Sequence, residues 1–144
     1  MKDFPASIPM IRSEFPYRVR YADTDRMEYM YNGHYLRLFE IGRTELLRQA
    51  GLPYVEIEAK GYFLPVLEAH VIYHAPAFYD DLLTIETCCE LRYAPTLRLE
   101  YRILRDKALI AEGYTIHSFV SRDTRRATRP PRWFFERLEH AACA

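Results

Sequence analysis

Residues 22–51 read ADTDRMEYMYNGHYLRLFEIGRTELLRQAG, and the pattern of this stretch decides the fold. At about 100° per residue, Tyr35, Leu36, Leu38, Phe39, Gly42, Leu46, Leu47 and Ala50 fall within one half of a helical wheel. Arg37, Glu40, Thr44 and Arg48 take much of the other half. The spacing predicts a helix over residues 33–50. Asn32, a favoured N-cap residue, marks its start, and Gly51 with Pro53 beyond it marks its end. So broad an apolar sector exceeds the stripe of an ordinary surface helix and predicts a helix wrapped by a curved sheet. Arg43 interrupts the sector, and Glu40, one turn back, is its expected partner.

Two acids, Asp23 and Asp25, stand just before this helix. A helix N-terminus carries unpaired N–H groups and roughly half a positive charge, which suits a carbonyl oxygen on its way to becoming an oxyanion. A carboxylate beside such an end is a candidate catalytic pair, and aspartate in a turn or cap is its structural counterpart.

At 144 residues with 49% hydrophobic side chains, the chain is long enough for one good core, so one domain is expected over residues 1–144. Its formal net charge is zero, with arginine and lysine spread along the sequence, which predicts neither nucleic-acid nor anionic-membrane binding. The N-terminus lacks a signal-like apolar core, and no apolar run approaches the roughly 18 residues of a membrane span, so a cytoplasmic protein is expected. Cys88, Cys89 and Cys143 form neither a disulfide framework nor a metal-ligand spacing. They read as reduced thiols, with Cys89 a small core residue.

Residues 1–13 read as a loose lead-in. Phe15, Tyr17, Val19 and Tyr21 then alternate with Pro16, Arg18 and Arg20 as a first strand. After the helix comes a turn region at residues 54–61, partly helical, and a second strand at residues 62–74. There Phe63, Leu67, Ala69, Val71 and Tyr73 share one face, and Glu68, His70 and His74 the other. A turn follows at residues 75–81, then a third strand with Leu83, Ile85, Thr87, Cys89 and Leu91 inward. Leu97, Leu99, Tyr101 and Ile103 against Arg98, Glu100 and Arg102 make the cleanest alternation in the chain. A tight turn at Asp106-Lys107 leads to a fifth strand over residues 108–121, where Gly113 marks a bulge or a close approach. The run 121–129 is a loop with solvated arginines, and residues 132–138 form a short C-terminal helix. The class is α+β, with strands two to five able to meander as an antiparallel sheet.

The pieces Tyr21-Ala22-Asp23-Thr24-Asp25, Tyr31-Asn32-Gly33-His34-Tyr35, Phe39-Glu40, Arg43 and Leu46-Leu47, with later matches through His117, resemble the hotdog-fold acyl-CoA thioesterases of the 4-hydroxybenzoyl-CoA thioesterase and YbgC-like family. The resemblance implies a curved sheet of about five strands around one long central helix, and sites shared between two subunits of a homodimer or homotetramer. It implies that Asp25 is the catalytic acid and that the backbone N–H groups of Asn32 and Gly33 polarise the thioester carbonyl. Two positions depart from the family pattern: Glu28 stands where glycine is usual, and His34 where a small polar residue is usual.

The function this implies is hydrolysis of a short- or medium-chain or aromatic acyl-CoA, with Asp25 as general base or nucleophile. The alternative is a hotdog protein that binds acyl-CoA or acyl carrier protein without hydrolysis; a hotdog dehydratase fits less well. Substrate-binding candidates are Glu28, Tyr31, His34, Tyr35, Glu68 and Thr96, the last as a pantetheine contact. Glu68 and His70 also read as dimer contacts. No metal and no cofactor are expected, coenzyme A entering as part of the substrate.

Overall fold

The computed structural model describes residues 8–143. Strand β1 spans Met10–Arg18, with Ile11, Ser13 and Tyr17 inward and Arg12, Glu14, Pro16 and Arg18 outward. The expected lead-in is therefore too long: of its residues, 1–7 lie outside those described and 10–13 belong to β1. The strand begins early because its alternation already runs through Ile11 and Ser13, which pair with Cys89 and Thr87. It also ends early. Tyr21, expected on the inner face, lies on a 3-10 turn, Tyr21–Asp23, and is 79% exposed.

Helix α1 spans His34–Gln49, one residue shorter at each end than expected, with Gly33 rather than Asn32 at the N-cap position and no capping side chain. Gly51 takes φ +84, as expected of a residue closing a helix. Tyr35, Leu38, Phe39, Gly42, Leu46 and Leu47 are buried, whereas Leu36 is exposed. The Phe39 ring stacks on Tyr101 at 4.2 Å. At Gly42 the helix lies so close to the sheet that a Cβ would meet Thr87 and Ile85. Arg43 forms no ion pair with Glu40; among the described residues the charged pair on this helix is Arg48 with Glu45.

The short helix α2, Tyr54–Ala59, is followed by two strands where one was expected. These are β2, Tyr62–Phe63, and β3, Val66–Tyr73, separated at Leu64-Pro65. Proline has no N–H for a ladder, so the pairing changes there. The remaining strands are β4, Leu82–Glu90; β5, Thr96–Arg105; β6, Ala108–Ser118; and β7, Val120–Ser121. The main sheet runs β1-β4-β5-β6-β3, with every pairing antiparallel, and β2 pairs with β7. The expected four-strand meander thus holds for β4, β5 and β6, while β3 crosses to the far side and pairs with β6. Segment 75–81 is a crossover held in place, not a hairpin: Arg105 donates to the Pro76 carbonyl at 3.0 Å and to Asp81 Oδ2 at 2.8 Å.

Gly113 is a point of close approach, since a Cβ there would collide with the His70 carbonyl oxygen of β3. Because β3 is an edge strand beyond most of the helix's cover, Val66, Leu67, Ile72 and Tyr73 are all exposed. Leu67 and Tyr73, expected inward, are not buried. Helix α3, Arg132–Cys143, is longer than predicted and buries Phe134, Phe135 and Leu138. Cys89 is buried, and burial pushes its thiol up to about 12. One helix laid in the curve of an antiparallel sheet is the hotdog fold.

Candidate active site

The loop before α1 is built on Asp23, which is 3% exposed. Its Oδ2 accepts from the Tyr17 hydroxyl at 2.7 Å and from the Arg20 N–H at 2.9 Å, and its carbonyl accepts from the Tyr31 N–H at 2.9 Å. Asp23 thereby ties both ends of the loop together. Burial and then this carboxylate raise the Tyr17 hydroxyl above its ordinary value.

Between those ends, Thr24 bridges Met30 and the Asp25 N–H donates to the Tyr29 carbonyl at 3.1 Å. Asp25 Oδ1 accepts from the Met27 N–H at 2.8 Å. Its Oδ2 has no partner among the described residues, so the half-exposed carboxylate keeps one oxygen available. The loop turns back through Glu28 at φ +71, the left-handed region that favours glycine. Glu28 is exposed at the rim.

The loop closes at the start of α1. The N–H groups of Asn32 and Gly33 have no hydrogen-bond acceptor among the described residues, and the helix dipole stands behind them. The Asn32 carbonyl accepts from the Tyr73 hydroxyl at 2.9 Å and from the Tyr35 N–H at 3.3 Å. The Tyr31 ring covers Gly33 so closely that a Cβ there would come within 2.7 Å of Tyr31 Cε1. His34 packs edge-on against Tyr31, with ring centres 5.9 Å apart. Tyr35 is buried against Tyr73, and burial first, then the Tyr73 charge, pushes its hydroxyl up to about 12. In a single chain Tyr35 is a wall of the core, not an open contact.

Asp25, Glu28, Tyr31, Asn32, Gly33, His34 and Tyr35 thus all lie on this loop and the helix start that follows it, with Tyr35 turned into the core. Glu68 and Thr96 are elsewhere in the same chain. Glu68, five residues before Tyr73 on β3, lies about 16 Å along the strand, on the outer face, where it accepts from the Tyr114 hydroxyl at 2.9 Å. Thr96 begins β5, whose other end is at the crossover beside the loop. Sequence reading missed Tyr73 as the group that holds the Asn32 carbonyl; no spacing signal links residues so far apart. It also missed the exposed aromatic rim of Tyr21, Phe78 and Tyr79. Among the described residues, no group of three or more histidine, cysteine or acidic side chains could hold a metal ion, and no helix is long and apolar enough to cross a membrane.

Residues 19–138 match the family model of the thioesterase-like superfamily. The chain belongs to that superfamily. It is 32% identical over 100 residues to the acyl-CoA thioesterase YbgC of Haemophilus influenzae, a match covering 69% of this chain and 74% of that one. YneP of Bacillus subtilis is 38% identical over 72 residues, and the chain spans about half of its length, 52%, with 50% of this chain matched. The crystal structure of DHNA-CoA thioesterase from Staphylococcus aureus superposes with a TM-score of 0.81 at 30% identity, covering 92% of this chain and 89% of that one.

Proposed function

We propose that this chain hydrolyses an acyl-CoA thioester, with a short, medium-length or aromatic acyl group, to the free acid and CoA. The observation that carries this reading is the pair of unpartnered N–H groups at Asn32 and Gly33 in the same corner as an aspartate with one free oxygen. The thioester carbonyl oxygen sits at those N–H groups, and the charge it gains during attack is stabilised by them and by the helix dipole. Losing one such donor typically costs about 10²–10³ in rate.

Two routes share this geometry. With Asp25 as general base, a water gives its proton to Oδ2 and adds to the carbonyl carbon; the C–S bond then breaks and the departing thiolate takes up the proton. With Asp25 as nucleophile, Oδ2 itself adds, CoA leaves as the thiolate, and water hydrolyses the mixed anhydride. Neither route uses a cofactor. Tyr31 and His34 flank the reacting carbonyl and Glu28 lies at the rim.

The working site spans two subunits. The exposed edge of β3, with Val66, Leu67, Ile72 and Tyr73, offers unpaired backbone groups to an antiparallel copy of itself. The assembly is a homodimer or a homotetramer, acting in the cytoplasm on acyl-CoA or on acyl carrier protein.

The test is free-thiol release from acyl-CoAs ranging from acetyl through palmitoyl to benzoyl and phenylacetyl, with wild type beside Asp25→Ala. Release by wild type that disappears in the variant supports the reading. Silence across the panel from a folded dimer that still binds the thioesters supports a non-hydrolytic binding protein instead, and a monomer in light scattering removes the two-subunit site.

A further inference from the structure

A cavity of about 140 Å³ lies inside the fold under the second half of α1, apart from the Asp25 corner. Arg43, which lines it, is nine residues beyond His34, or about 14 Å along the helix. Its apolar wall comes from Ile11, Leu46, Leu97, Leu99 and Leu138. A leucine- and isoleucine-lined cavity of about 150 Å³ is large enough to admit benzene.

The buried polar groups around it are hydrogen-bonded to one another. His117, 2% exposed, has Nδ1 3.0 Å from the Leu64 carbonyl. A carbonyl only accepts, so Nδ1 carries the proton. Burial lowers the ring's proton affinity below the ordinary 6.5, so the ring is neutral and Nε2 accepts from the Thr115 hydroxyl at 2.8 Å. Thr115 Oγ1 in turn accepts from the Tyr101 hydroxyl at 2.6 Å. This chain of donors runs one way and leaves neither ring nitrogen of His117 free. The Cys89 thiol, also in the lining, is protonated, being pushed up to about 12.

Arg43 is the charged member of this network. Its half-buried guanidinium donates toward the Tyr101 hydroxyl and lies near His117, and it has no ion-pair partner among the described residues, so its remaining N–H donors lack an anion. Glu40, the other charged residue of the lining, is exposed. A guanidinium does not give up its proton, and it pairs best with a carboxylate through two parallel hydrogen bonds. The geometry points to a second ligand site: this cavity binds a small apolar carboxylic acid, its carboxylate on Arg43 and its hydrocarbon or aromatic ring among the leucines. The site is independent of whether Asp25 hydrolyses anything.

The test is calorimetric titration of the full chain with benzoate and hexanoate, with benzyl alcohol as the uncharged comparison. Saturable binding of one acid per chain is expected, weaker for benzyl alcohol, unchanged in Asp25→Asn, and weakened about 10–100-fold in Arg43→Met. Leu99→Phe, which keeps the arginine and fills the void, also abolishes binding, so the proposal remains testable if Arg43→Met fails to fold. No saturable binding, equal affinity in Arg43→Met, or loss of binding in Asp25→Asn would each overturn it.

Discussion

The Tyr73 hydroxyl, at the end of edge strand β3, donates a 2.9 Å hydrogen bond to the carbonyl of Asn32, at the start of the central helix. That bond holds the peptide group that carries the Gly33 N–H. Tyr73→Phe keeps the ring contact with Tyr35 and loses only the bond. It is expected to cost about 0.5–1.5 kcal/mol of stability and to lower kcat several-fold with little change in KM, read from denaturant titration and steady-state kinetics.

Asp23 and Asp25 are the same residue type two positions apart, and the structure gives them opposite surroundings, Asp23 buried and bonded through Oδ2, Asp25 half-exposed with one oxygen available. Asp25→Asn retains an oxygen for the Met27 N–H, so thermal stability should stay close to wild type while turnover falls by about 10²–10⁴. Asp23→Asn weakens a buried and a partly buried hydrogen bond to a carboxylate, bonds of a kind worth about 1.5–3 kcal/mol when charged. A large drop in melting temperature should accompany its loss of activity. If Asp25→Asn turned over like wild type, the catalytic assignment would be wrong.

Glu28 holds φ +71 with an L side chain. The left-handed region costs such a residue about 1–2 kcal/mol, against the 0.5–1 kcal/mol entropic cost of glycine. Glu28→Gly should therefore match or exceed wild-type stability by up to about 1 kcal/mol, whereas Glu28→Ala should not. Parallel chemical denaturation of the three proteins checks the order.

His117 gives the fold a pH dependence whose sign follows from burial. Its folded proton affinity is lowered, chiefly by desolvation, so below the ordinary 6.5 the unfolded chain binds the extra proton and the folded chain does not. Stability should be full above that value and fall as pH drops below it. Glu56, lowered mainly by its hydrogen bond with Arg137, titrates in a separate window below 4.5. Melting temperatures of wild type and His117→Gln between these two values should show a slope in wild type alone.

Gly113→Ala would drive a methyl group into the His70 carbonyl, which is backbone and has little room to move. The expected outcome is loosened β3–β6 pairing, with faster amide exchange along β3 and reduced activity, because the same strand carries Tyr73.

The sequence by itself determined the central helix, the inward faces of β4, β5 and β6, and the turn chemistry of the loop that precedes the helix. Each depends on periods of two or about four residues, or on a turn of a few residues, so the information is local. Leu36, Leu67 and Tyr73 show where local information stops: all three are apolar on the pattern, yet they lie at the limit of the helix's cover or on an edge strand. Strand order, the crossover of residues 75–81 and the Tyr73–Asn32 bond were decided only by tertiary structure. A periodic pattern states which face of a strand is apolar and says nothing about which other strand its hydrogen bonds will find. The same holds inside the core, where Arg43 reads as a flaw in an apolar sector until the fold sets it, without a carboxylate partner among the described residues, against a cavity lined with leucines.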